Sequence, residues 1–166
     1  HKYVLNKEYP QLSVDKEYDG ILEEQMCKCS VDGPTERRML IYLPKTYYES
    51  NESYPVFYLL HGARGNELSW IEKGNILHNI DSLRAAGLMR EMIVVLPNVN
   101  QYDDDIDFNK SRIKGAVESL FETDGAVETA FVSDVVNAVD SLYRTLPDKE
   151  HRAIAGLSIG AMQAMH

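Results

Sequence analysis

The sequence predicts an α/β protein whose mostly parallel central sheet is covered by helices on both faces and preceded by an antiparallel hairpin. Two continuous apolar runs, Pro55 to Leu60 and Met92 to Leu96, carry the first part of that prediction. Neither shows the polar alternation of a strand with one wet face, so both read as strands buried on two sides. The second part comes from the helical periodicities that separate these runs from each other and from a third short run, His151 to Leu157. An order of strand, helix, strand, helix, strand is that of a doubly wound sheet.

The elements follow in chain order. Residues 1–19 read as a polar lead or linker, and residues 20–166 as the N-terminal part of one α/β domain. Ile21 to Val31 and Arg38 to Leu43 read as a hairpin turning at Asp32-Gly33-Pro34, with Met39, Ile41 and Leu43 alternating against Leu40 and Tyr42. A helix is expected from Asn75 to Ala86, where Ile76, Leu77, Ile80 and Leu83 recur at helical spacing and Gly87 supplies a stop. A longer one is expected from about Val127 to Leu146, its inner face formed by Phe131, Val135, Val139, Leu142 and Leu146 and its end fixed by Pro147. After the His151 to Leu157 strand, Gly160 to His166 begins another helix.

Composition narrows the function. The formal net charge is −9, from 17 basic and 26 acidic residues, and no Lys/Arg-rich run offers a stripe to neutralise phosphates, which argues against nucleic-acid binding. The longest apolar runs fall far short of the roughly 20 residues that span a bilayer. Cys27 and Cys29 would share one face of a strand as small hydrophobes, and no further cysteine or histidine cluster completes a four-ligand metal site. Asn51-Glu52-Ser53 and Asn109-Lys110-Ser111 match the glycosylation acceptor pattern, as chance matches do. Asp103, Asp105 and Asp107 have the alternate spacing of a calcium loop, but Phe108 and Lys114 stand where that loop needs Gly and Glu, so a solvated loop is expected.

The chemistry centres on Gly156-Leu157-Ser158-Ile159-Gly160. In a G-x-S-x-G elbow the serine occupies a cramped strand-to-helix turn, and the glycines are needed because a side chain would collide with neighbouring backbone. Three fixed positions of this kind recur by chance in roughly one chain of this length in twenty. The context is what makes the motif informative, since it follows an expected strand and opens an expected helix. Ser158 is thus the candidate nucleophile, with the Ile159 N–H at the helix start facing the developing oxyanion.

A second element agrees. His61-Gly62-Ala63-Arg64-Gly65 directly follows the strand ending at Leu60, where a glycine-rich loop would bring a further oxyanion donor, assigned to the Ala63 N–H. His61 and Gly62 are read as supporting that loop rather than as a general base. His166, eight residues past Ser158 on the expected helix, would point away from the serine's face on most of its possible rotations and is a poor candidate for the base, and His78 and His151 read as surface or strand-end residues. No acid follows Ser158 in this sequence. The triad partners and the remaining C-terminal strands are therefore expected outside this chain, in a continuation or on a second chain, and the fragment alone is expected to be nearly inert. Trp70 and Tyr102 could stack on an aromatic acid or sugar ring, although packing is the commoner role.

Four blocks together resemble one family: Tyr54 to Gly62, Met92 to Asn98, Tyr143 to Leu146, and His151 to Ser158. In order and spacing they are similar to the carbohydrate esterase family 1 enzymes of the α/β-hydrolase superfamily, which include feruloyl and acetyl xylan esterases. The resemblance runs from about Gly20 to the end of the chain. It implies a secreted or periplasmic serine esterase that needs no cofactor and cleaves feruloyl or acetyl esters of plant cell-wall polysaccharide through an acyl-enzyme on Ser158. A hydrolase of non-carbohydrate esters, such as short-chain acyl or siderophore esters, is the alternative on the same fold, and an inactive fragment is another. Gly160-Ala161 stands where many relatives have two glycines.

Overall fold

A computed structural model describes residues 17–28, 30, 36–63, 65–99 and 125–165 of the chain. Most of the lead, Cys29, Val31, the Asp32-Gly33-Pro34 turn, Arg64, Tyr102, the Asp103 to Asp107 stretch, the acceptor pattern at Asn109 and His166 lie outside the described residues.

The elements are β1 (Ile21–Lys28), β2 (Glu36–Leu43), β3 (Val56–Leu60), α1 (Ser69–Glu72), α2 (Ile76–Ala85), β4 (Ile93–Pro97), α3, β5 (Arg152–Gly156) and α4 (Ile159–Met165). Helix α3 is continuous but not uniform: it is α-helical over Ala126–Ala130, π-helical over Phe131–Val136 and α-helical again over Asn137–Leu142. The five strands form one sheet in the order β1-β2-β4-β3-β5. β1 and β2 are the expected antiparallel hairpin, Ile21 opposite Leu43, and β2 meets β4 antiparallel with Leu40 opposite Leu96. β3 pairs in parallel with β4 on one side and β5 on the other.

Strand pleating sorts the apolar runs onto two faces, because successive side chains point to opposite sides. Met39, Ile41, Leu43, Val56, Tyr58, Ile93 and Val95 pack under Val136, Val139 and Tyr143. Leu40, Tyr42, Leu59, Val94 and Leu96 pack under Leu68, Leu77 and Ile80. Helix α3 therefore covers one face and α1 with α2 the other. This is the two-sided burial that lets β3 and β4 be continuously apolar. Strand β5 differs from β3 and β4: it is only partly covered, with Ala153 and Ile154 exposed.

Two expected core positions are corrected. Leu83 is 42% exposed although Leu77 and Ile80 on the same helix are buried, and Leu142 is 53% exposed at the end of α3. The second has a clear cause. The helix stops at Leu142 rather than near Leu146, because Tyr143 turns extended and the chain makes a parallel bridge between Thr145 and Tyr54. Tyr54 N–H donates to the Arg144 carbonyl and Leu146 N–H to the Tyr54 carbonyl, each at 2.9 Å. Arg144 anchors this detour, its guanidinium 4.0 Å from the centre of the Tyr47 ring and its Nε donating to the Glu52 carbonyl at 3.0 Å. Tyr143 then fills the core position that Leu142 vacates. The Gly87 stop holds: its φ of 68° is a left-handed conformation, and Leu88 N–H closes onto the Leu83 carbonyl at 2.9 Å.

These burials separate otherwise similar substitutions. Leu77→Ala is expected to cost about 2–5 kcal/mol, and Leu83→Ala or Leu142→Ala no more than about 0.5–1 kcal/mol. Denaturant midpoints of the three variants measure the difference.

Candidate active site

The topology decides where a site can form. From β3 the chain crosses one face through α1 and α2 to β4, then crosses the other face through α3 to β5, so β4 and β5 flank β3 on opposite sides. Loops leaving the carboxyl ends of β3 and β5 consequently part at a switch point, where ligand crevices of open α/β sheets lie. The register fixes which residues meet there. Leu60 is opposite Gly156, so the loop opening at His61 runs beside the turn opening at Leu157. Leu157 N–H extends the ladder by donating to the Leu60 carbonyl at 3.2 Å, and the Trp70 indole N–H donates to that same oxygen at 3.1 Å. Trp70 thus serves as packing against the second core face and as a brace for the end of β3.

Ser158 is the residue at which the chain turns back. Its φ of 56° is left-handed, a conformation that costs a non-glycine residue about 1–2 kcal/mol. The side chain is exposed, and Ala161 N–H and Met162 N–H close onto the Ser158 carbonyl at 3.0 and 3.1 Å to launch α4. The flanking glycines are required by close approach. A Cβ on Gly156 would stand 2.2 Å from the Gly160 carbonyl carbon, and one on Gly160 would stand 2.4 Å from the His61 carbonyl oxygen. The second contact ties elbow and loop together directly. A Cβ on Gly62 would lie 3.5 Å from the Ser158 Cβ, so the loop backbone passes beside the serine. Ile159 opens α4, where helix N–H groups have no acceptor within the helix.

The loop after β3 is tightly determined. Gly65 N–H donates to the Gly62 carbonyl at 3.0 Å, which closes a turn that contains the exposed Ala63. His61 is buried, and its ring nitrogens face two different partners. Nε2 accepts from the Val99 N–H at 3.1 Å, so Nε2 carries no proton, and Nδ1–H donates to the Gly62 carbonyl at 2.8 Å. Both ring nitrogens are thus engaged by backbone groups, and the Nε2 lone pair is committed to the Val99 N–H. His78 is exposed on α2, and His151 Nδ1 lies 2.6 Å from Asp148 Oδ1 at the start of β5. Among the described residues no group of three His, Cys, Asp or Glu side chains is placed to hold a metal ion.

A cavity of about 290 Å³ lies between α3 and β5, lined by Tyr58, Phe131, Val132, Ile154 and Gln163 among others. Its described lining includes neither the elbow nor the turn at Gly62, and burial pushes the Tyr58 phenol well above its ordinary range.

Sequence reasoning missed several residues of this region. Helix α1 is only four residues long, too short to show a period. Glu67, 1% exposed, and its partner Arg38, 3% exposed, were not singled out. Their signal was Arg38 itself, which shares a strand face with Leu40 and Tyr42 and so needs a buried carboxylate.

The glycine contacts generate a direct comparison. Gly160→Ala forces a collision with the His61 backbone and is expected to cost about 3 kcal/mol, the upper end of the usual range for overpacking. Gly87→Ala meets open space and strains only its left-handed φ, for about 1–2 kcal/mol. Urea unfolding of both variants reads the gap.

Comparison with known proteins agrees with this geometry. The model of the Esterase family, described as "Putative esterase", matches residues 30–166. An endo-1,4-beta-xylanase/feruloyl esterase of Xylanibacter ruminicola is 33% identical over 127 residues, covering 74% of this chain and 16% of that protein. A solved ferulic acid esterase superposes with a TM-score of 0.70 at 30% identity, over 89% of this chain and 54% of the other. The CE1 ferulic acid esterase of Anaeromyces mucronatus, in complex with ferulic acid, gives a TM-score of 0.68 at 28% identity, over 95% and 56%. The chain thus spans about half the length of these solved esterases and a smaller part of the curated relative. With its doubly wound sheet and glycine-flanked serine, it has the α/β-hydrolase fold and belongs to the Esterase family.

Proposed function

We propose that the protein carrying this chain hydrolyses feruloyl, or related acetyl, esters of plant cell-wall polysaccharide through an acyl-enzyme on Ser158. The observation that carries the proposal is the left-handed, exposed Ser158 between two glycines, beside the backbone of Gly62. Support for the acyl group comes from relatives named as feruloyl and ferulic acid esterases, one of them solved with ferulic acid.

In this reading the Ser158 Oγ adds to the ester carbonyl carbon as its proton leaves, and the carbonyl π electrons move onto oxygen. The Ile159 N–H and the Ala63 N–H receive that oxyanion, with His61 and Gly62 holding the loop that presents the second donor. Collapse expels the sugar oxygen, which takes up a proton, and leaves the acyl group on Ser158. Water then adds to the acyl-enzyme, releasing the acid and restoring the hydroxyl. No cofactor takes part in this reading: a serine hydroxyl attacks, a histidine carries the proton and backbone N–H groups receive the oxyanion. In this reading the proton passes to a histidine and back, while an acid orients that ring and stabilises its charged form without taking the proton; in the order usual for this fold both would follow Ser158. Action on plant-wall polysaccharide supports a location outside the cytoplasm, secreted or periplasmic. Among the described residues no helix is long and apolar enough to cross a membrane.

Ser158→Ala in the longer protein is expected to lower ferulate release from arabinoxylan by about 10⁴-fold or more, with circular dichroism unchanged. Release that survives the substitution overturns the assignment.

A further inference from the structure

The loop between β3 and α1 is fastened at both of its stems to the same two residues, Asn98 and Val99, just past β4. At the first stem the His61 ring accepts the Val99 N–H at 3.1 Å. At the second stem the Glu67 carboxylate accepts the Asn98 side-chain N–H at 2.9 Å through Oε2. Its other oxygen, Oε1, accepts from the Arg38 Nε. Arg38 also donates to Glu24 Oε1 at 3.1 Å, and its backbone carbonyl accepts the Asn98 N–H at 3.1 Å. Asn98 is thus held at its backbone by β2 and grips Glu67 with its amide.

A carboxylate and a guanidinium this deeply buried are poor investments for stability alone. Desolvation offsets much of their attraction, and an apolar pair of the same volume is often as stable or more so. What an apolar pair lacks is direction. A carboxylate with both oxygens occupied fixes its own position in every coordinate, and Glu67 stands two residues from Gly65, which closes the turn onto Gly62. Asn66 completes the hold, its Oδ1 accepting the Leu68 N–H at 2.9 Å.

We propose that Glu67, set by Arg38 and Asn98, is a positioning residue that holds the Gly62–Gly65 turn at the distance from Ser158 that oxyanion binding requires. This rests on the esterase reading of the serine. The Glu67–Asn98 bond and the His61–Val99 bond act as two ends of one clamp. Loosening either end lets the turn drift, and a drift of about 1 Å at a reacting centre costs on the order of 100-fold in rate. Substrate binding, made elsewhere, is spared.

The test uses the longer protein and three variants. Asn98→Ala removes the grip on Glu67 but leaves the Arg38–Glu67 pair intact, so the fold survives. Glu67→Gln removes the charge as well. Glu24→Gln breaks an ion pair to the same Arg38 without touching the loop, and is the stability control. Expected for Asn98→Ala and Glu67→Gln is a fall in kcat of about 10- to 100-fold, with KM within about twofold of the parent. Hydrogen exchange at the amides of residues 62–68 accelerates, while β3 and β4 stay protected. Glu24→Gln lowers the melting temperature without changing kcat. The inference is overturned if Asn98→Ala leaves both kcat and loop exchange at parental values, or if kcat in all three variants simply follows melting temperature. A parent protein with no hydrolysis on any ester refutes the esterase reading instead, and the exchange data then decide alone whether the clamp exists.

Discussion

The arrangement depends on one parallel pairing, that of β3 with β5. Because Leu60 stands opposite Gly156, the two chains leave the sheet side by side, and the Leu157 N–H reaching back to the Leu60 carbonyl carries the ladder one step beyond the strands. A slip of one residue would turn Tyr58 and Leu59 to the wrong faces and carry Ser158 away from the His61 loop. The burial of the two core faces therefore sets the position of the serine. Packing and chemistry are specified by the same register.

Close backbone contact then completes what the register begins. Gly160 lets the first turn of α4 rest against the His61 carbonyl, and Gly156 lets that turn fold back over its own strand. On the opposite side of the crevice the loop is held by polar groups: a neutral imidazole between two backbone partners and a carboxylate between Arg38 and Asn98. Directional bonds suit the role we propose for this loop, presenting a backbone N–H, since apolar packing tolerates rotation and sliding that such bonds do not.

What could be read from the sequence follows the range of the interactions involved. The elbow was legible because its constraint is local: Gly156, Ser158 and Gly160 lie within five residues, and the steric demand falls on each of them. The strand runs were legible because two-sided burial removes polar alternation. Leu142 was misjudged because helical periodicity continues past the point where a distant residue, Tyr54, captures Arg144 and Leu146 and draws Tyr143 into extended backbone. Leu83 shows that a helical stripe marks residues able to face a core without showing how far the core extends. The Arg38–Glu67 pair joins residues 29 apart and looks, residue by residue, like ordinary surface charge.

The central claim is geometric: one exposed hydroxyl, and two backbone N–H groups from neighbouring strand ends, converge on a single reacting carbonyl. A crystal structure of the longer protein after reaction with an alkyl fluorophosphonate tests it most directly. The account predicts phosphorus bonded to Ser158 Oγ and the phosphoryl oxygen about 2.7–3.1 Å from both the Ile159 and Ala63 nitrogens. Phosphorus on another residue, or an adduct on Ser158 whose oxygen meets neither nitrogen, would contradict it.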